Sequence, residues 1–138
     1  MQTTSAVIEV AVGIILDEDA QHVLITKRRP NQSHAGYWEF PGGKCEGAEN
    51  AYAALQRELH EEVGIEVMGA KKFLEIIHHY PDRSVRLHAW LVQQFLGQPA
   101  GIEGQECIWI SFDELGNYQF PEGNYRILEA LKEMIAVL

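Results

Sequence analysis

Apolar residues crowd Ala6–Leu16 and recur through His22–Arg28, predicting two strands joined by a turn at Asp17-Glu18-Asp19. Pro30–Gly36 is polar and reads as a loop. Tyr37–Phe40 predicts a short strand, stopped by Pro41-Gly42-Gly43. From Asn50 to Val63 the period becomes helical, with Leu55, Leu59 and Val63 on one face. Asn50 suits the N-cap of this helix and Gly64 its C-terminal stop. Two long β-rich segments follow, Lys71–Tyr80 and Ser84–Phe95, with Pro81-Asp82-Arg83 as their turn. Gly97–Gly101 breaks the chain, and Cys107–Ser111 predicts a last strand. Asn124–Val137 then places Leu128, Leu131 and Ile135 on one stripe of an amphipathic helix. The order predicts an α+β fold, a mixed sheet with helices on its faces.

Length suits a single domain over residues 1–138, and no internal repeat or linker divides it. The formal net charge of -9 argues against gripping a nucleic acid polymer by its phosphates, which needs a basic face. No apolar stretch is long enough to span a bilayer, and the N-terminus lacks the basic segment of a signal peptide. The expectation is a cytoplasmic protein in which Cys45 and Cys107 are reduced thiols. Acidity still permits a phosphate-bearing small molecule, provided a divalent cation stands between the two negative partners.

The predicted helix carries such a provision. Glu58, Glu61 and Glu62 fall at i, i+3 and i+4, on one face. Like charges at these spacings cost roughly 0.2–0.5 kcal/mol per pair. They also lie near the helix C-terminus, where the macrodipole disfavours anions. A solvated acidic face is the ordinary explanation of such a cluster. Here, however, Glu39–Glu66 holds seven acids against two bases, and the helix follows a glycine-rich turn. Three glutamates on one face supply hard oxygen ligands for Mg²⁺ or Mn²⁺, and glycines let a backbone carbonyl approach the same ions. His60 reads as a surface residue. His78 and His79 point to opposite faces of a strand, which argues against a shared metal.

This stretch resembles the Nudix box, G-x5-E-x7-R-E-U-x-E-E-x-G-U, where U is a bulky aliphatic residue. Gly43, Glu49 and Arg57-Glu58-Leu59-His60-Glu61-Glu62-Val63-Gly64-Ile65 fill every fixed position. The resemblance implies an α/β/α sandwich and hydrolysis of a nucleoside diphosphate linked to another group. It makes the Gly43 carbonyl, Glu58, Glu61 and Glu62 metal ligands, with Arg57 pairing with Glu49 to orient them. Mg²⁺ is the implied cofactor, for which Mn²⁺ can substitute.

Similarity continues outside the box. Val12-Gly13-Ile14-Ile15, Trp38-Glu39-Phe40-Pro41-Gly42-Gly43-Lys44, Tyr80-Pro81-Asp82-Arg83, Glu103-Gly104-Gln105 and Phe120-Pro121-Glu122-Gly123-Asn124 resemble the MutT-type, 8-oxo-dGTP-hydrolysing members. That likeness implies Glu103 as a further metal-site carboxylate, with Arg28, Arg83 and Asn124 on the nucleotide. Glu58 or Glu103 becomes the general base, and water attacks the β-phosphorus, releasing 8-oxo-dGMP and pyrophosphate. Asn124 can accept from the N7–H of oxidised guanine while donating to O6, or it can simply cap the last helix. Phe40, with Trp38 and Tyr37, either walls a base pocket or belongs to the core. Lys27-Arg28-Arg29-Pro30 is more basic than the MutT-type pattern and ends in proline, a departure in the loop after the second strand. His34–Phe40 and Leu87-His88-Ala89-Trp90 also resemble a relative that prefers CTP and modified pyrimidine triphosphates. The implied partner is a small-molecule nucleoside triphosphate, with the chain a monomer or small homo-oligomer. Competing classes are a binding module that keeps the fold without the chemistry and an accessory domain of a DNA glycosylase.

Overall fold

The structure, a computed structural model, describes residues 7–136. Ala6, predicted to open the first strand, and Val137, predicted to close the last helix, lie outside the described residues. Strands β1 (Ile8–Ile15) and β6 (Arg83–Leu96) run parallel at the centre of a sheet, in register from Ile8↔Val85 to Ile15↔Val92. Strands β4 (Gly42–Lys44) and β5 (Glu66–Tyr80) flank them antiparallel, giving the order β4-β1-β6-β5. A second, antiparallel sheet has the order β3-β2-β7, from β2 (His22–Lys27), β3 (Trp38–Glu39) and β7 (Cys107–Ser111).

Alternation along the strands divides the core in two. Ala11 and Ile15 of β1 and Val92 of β6 are buried with Leu55, Leu59 and Val63 of helix α1 (Ala51–Val63). The residues between them, Val12 and Ile14, face a cluster with Leu87, Phe120, Ile127 and Leu131, the last two on helix α2 (Tyr125–Ala136). The mixed sheet therefore lies between helices, as an α/β/α sandwich. Helix α1 begins and ends where its sequence signals stand. The Asn50 side chain accepts from Ala53 N at 2.8 Å, a cap worth about 1 kcal/mol. Gly64, at φ 72°, ends the helix in the left-handed conformation that glycine adopts without steric cost. Gly13 lets α1 approach β1 closely, since a β-carbon there would lie 2.9 Å from Leu59 Cδ2.

Three expectations are corrected. Gly42-Gly43 does not simply stop a strand but belongs to β4, paired with β1 through Val12↔Gly42 and Ala11↔Gly43. A β-carbon on Gly42 would overlap the Ala11 carbonyl, so glycine is what permits this pairing. β5 starts at Glu66, five residues before the predicted Lys71, and keeps its pairing through register shifts between Val67 and Leu74. The last helix starts at Tyr125, after a 3-10 turn at Glu122–Asn124; Ile127 and Leu131 are fully buried, and Leu128 packs partly buried against the same core. His22 opens β2 as predicted, its ring 2.7 Å from Asp17. No helix among the described residues is long and apolar enough to cross a membrane.

Candidate active site

A cavity of about 540 Å³ opens over the face of the mixed sheet that carries Val10, Val12, Val85 and Leu87. Glu58 and Glu62 enter it from α1, Gly42 and Gly43 from β4, Glu39 from β3 and Glu103 from the loop before β7. On the β5 side it is lined by His78, Tyr80, Arg83 and Asn124, with Arg28 and Phe40 along its wall.

The glutamates reach this place because α1 buries the opposite face. With Leu55, Leu59 and Val63 inside, positions 58 and 62 emerge beside β4. Gly43 has its α-carbon directly against the Glu58 carboxylate, so a β-carbon there would occupy the carboxylate's position. Glu62 Oε2 accepts from Gly42 N at 2.8 Å. Burial, then the charges of Glu39, Glu58 and Glu103, push the Glu62 carboxyl up to about 9. Burial also raises Glu58, opposed by its pairing with Arg57. Glu39 is raised by burial and opposed by its ion pair with Arg28, which also bonds Ser33 Oγ at 3.1 Å.

Behind the cavity Arg57 spends all five of its N–H donors. Nε and Nη2 bond the two oxygens of Glu49 at 2.7 and 3.0 Å, and Nη2 bonds Lys44 O at 3.0 Å. Nη1 bonds Glu58 at 2.7 Å and Glu61 at 3.2 Å. These bonds hold the guanidinium protonated and the Glu49 carboxyl below its ordinary range. Glu61 leans on Arg57 and is half exposed; unlike Glu58 and Glu62, it is not part of the cavity lining.

The donor set suits a hard divalent cation. Carboxylates from α1, β3 and the loop at Glu103 converge with more negative charge than Arg57 and Arg28 neutralise, and a cation would reverse the mutual repulsion. Among the described residues no three acidic, His or Cys side chains form a ready-made cage. Glu58 rests on Arg57 and Glu62 on Gly42 N.

At the other end, Asn124 closes the 3-10 turn directly before α2 and lines the cavity. Its backbone N–H donates to Pro121 O at 2.9 Å, so the backbone secures this turn. Gly123 N donates to Tyr80 OH at 3.1 Å, which ties the Asn124 turn to β5. Phe40 is buried, 5.3 Å from Phe120, and still lines the cavity, so it serves core and wall together. Trp38 instead packs edge-on against Tyr118, and Tyr37 against His34. Arg83 lies over the Tyr80 ring at 5.5 Å. His60 is exposed; His79 faces away from the cavity, bonded to Ser84 at 2.6 Å. Sequence reasoning had not placed Glu39, His78 or Tyr80 at the site. The only signal was the alternation that puts His78 and Tyr80 on one face of β5, which does not say what that face meets.

The NUDIX domain family model matches residues 11–130. The 8-oxo-dGTP diphosphatase of Haemophilus influenzae is 38% identical over 125 residues, 91% of each chain. The CTP pyrophosphohydrolase of Escherichia coli is 35% identical over 125 residues, covering 91% of this chain and 92% of that protein. A solved MutT structure, from work on the Aliivibrio salmonicida and Vibrio cholerae proteins, has a TM-score of 0.82 at 38% identity. That match covers 96% of this chain and 100% of the other. Magnesium dependence is general in this family. The chain belongs to the Nudix hydrolase family, as a nucleoside triphosphate pyrophosphohydrolase that acts on phosphoanhydride bonds.

Proposed function

We propose that this enzyme hydrolyses 8-oxo-dGTP to 8-oxo-dGMP and pyrophosphate, clearing an oxidised nucleotide before it can be misincorporated into DNA. The observation that carries the reading is the placing of Asn124 and the carboxylates at opposite edges of one cavity. Glu58 and Glu62 lie against Gly43 and Gly42 of β4, and the Asn124 turn is tied to Tyr80 of β5; these two strands are three strand spacings apart, roughly 14 Å. A nucleotide laid across β1 and β6 would present its base to Asn124 and its phosphates to Glu58, Glu62 and Glu103. The floor beneath it is apolar, with Phe40 beside it. The volume lies within the usual range for small-molecule sites.

Gly43, Glu58, Glu62 and Glu103 would hold Mg²⁺, with Glu61 close by on Arg57. When bound, the metal would neutralise phosphate charge and acidify a coordinated water. Arg57 keeps Glu58 fixed through a network anchored on Glu49. Glu58 or Glu103 takes a proton from the attacking water. Arg28, held by Glu39 and Ser33, and Arg83, over Tyr80, supply positive charge along the nucleotide. Asn124 accepts from N7–H and donates to O6, whereas unoxidised guanine would set a lone pair against its carbonyl. Sites built around such a bond can reject the analogue lacking it by about 10⁴–10⁵-fold.

Likeness to the E. coli CTP pyrophosphohydrolase supports a second reading, a pyrimidine triphosphatase or broad-specificity enzyme with the same phosphate chemistry. Asn124→Ala separates the two. A base reader loses most of the preference for 8-oxo-dGTP over dGTP while CTP turnover is unchanged; an unchanged preference would remove Asn124 from base recognition.

A further inference from the structure

Glu103 sits on a loop, 40% exposed, and shares the cavity with Glu58 and Glu62. Its charge opposes both of theirs, so an untethered loop would relax away from the site. The loop is instead fastened to the C-terminal end of α1. Ala100 N donates to Val63 O and Ile102 N to Glu62 O, each at 3.0 Å. These carbonyls are among those a helix end leaves without partners.

Gln105 completes the attachment with both ends of one amide. Its Nε2 donates to the same Glu62 carbonyl at 3.0 Å, and its Oε1 accepts from Glu103 N at 3.0 Å. One side chain thus bridges the residues that carry two of the cavity's carboxylates. The chain can fold back this far because Gly104 adopts φ 86° and because a β-carbon on Gly101 would overlap the Gln105 carbonyl. Arg29 braces the other side, with Nη1 donating to Glu103 O at 3.1 Å and Nη2 3.8 Å from its carboxylate. Gln105 itself does not line the cavity.

We infer that Gln105 is a positioning residue for the hydrolysis, holding Glu103 against Glu62 through its two hydrogen bonds. The inference rests on the role proposed above for Glu103. Only a side chain with both a donor and an acceptor at this length makes both bonds. Methionine has the length and neither bond; glutamate keeps the acceptor for the Glu103 amide and loses the donor.

The test is a double-mutant cycle of Gln105→Met with Glu103→Gln. Each variant is followed by kcat and KM with Mg²⁺, by Mn²⁺ affinity from the EPR signal of the free ion, and by melting temperature. Gln105→Met is expected to lower kcat and Mn²⁺ affinity by about 10–100-fold, with KM less affected, as for other groups that orient metal ligands. In the Glu103→Gln background the same substitution should cost less than about twofold. Equal losses in both backgrounds, or wild-type kcat and Mn²⁺ affinity in folded Gln105→Met, would overturn the inference. Wild-type behaviour of Glu103→Gln alone would overturn the role of Glu103 and this inference with it. If Gln105→Met does not fold, Gln105→Glu goes through the same cycle with the same criteria.

Discussion

Gly43→Ala tests the geometry between β4 and α1 with a single methyl group. The added β-carbon would lie 2.8 Å from Glu58 Oε1 and closer still to Cδ and Oε2, whereas ordinary contact begins at 3.4 Å. Glu58 must therefore retreat by on the order of 1 Å, pulling on its 2.7 Å bond to Arg57. A misplacement of this size is expected to cost about 100-fold in kcat/KM. Only the end of a flexible side chain has to move, so the melting temperature should change little. The assay is pyrophosphate release with Mg²⁺ and a nucleoside triphosphate, run beside a thermal melt. Gly116→Ala is the control, because a β-carbon there meets nothing within 4 Å. A folded Gly43→Ala enzyme with kcat/KM within about threefold of wild type would refute the reasoning, since the required displacement would have no kinetic consequence.

Arg57→Lys keeps the charge but loses the planar fork that reaches Glu49, Glu58, Glu61 and Lys44 O together. Steady-state kinetics should show a loss of about 10–100-fold in kcat. Leu59→Ala removes a fully buried side chain that packs on Gly13, and urea unfolding should show about 2–5 kcal/mol of lost stability.

Helix α1 was legible because its signals are local. Asn50 caps it, Gly64 ends it, and the period of Leu55, Leu59 and Val63 fixes which face is buried, hence which face carries the glutamates. The pairing of Arg57 with Glu49 was also foreseen, from the Nudix resemblance. β4 was not legible: Gly42 and Gly43 read as a breaker, while their function in the fold is close approach to β1 and to Glu58, which depends on residues distant in sequence. The start of β5 was missed because Met68-Gly69-Ala70 and the register shifts blur its alternation. Glu39 sits among the cavity carboxylates only because β3 pairs with β2 beside Arg28. The bond from Gln105 to the end of α1 spans 43 residues, and no local pattern announces it.

The most direct measurement is kcat/KM with Mg²⁺ for 8-oxo-dGTP, dGTP and CTP, with products separated by ion-exchange chromatography. The account predicts a large preference for 8-oxo-dGTP, yielding the monophosphate and pyrophosphate. A preference for CTP, or equal turnover of all three, would contradict it and leave a Nudix hydrolase whose base pocket does not read oxidised guanine.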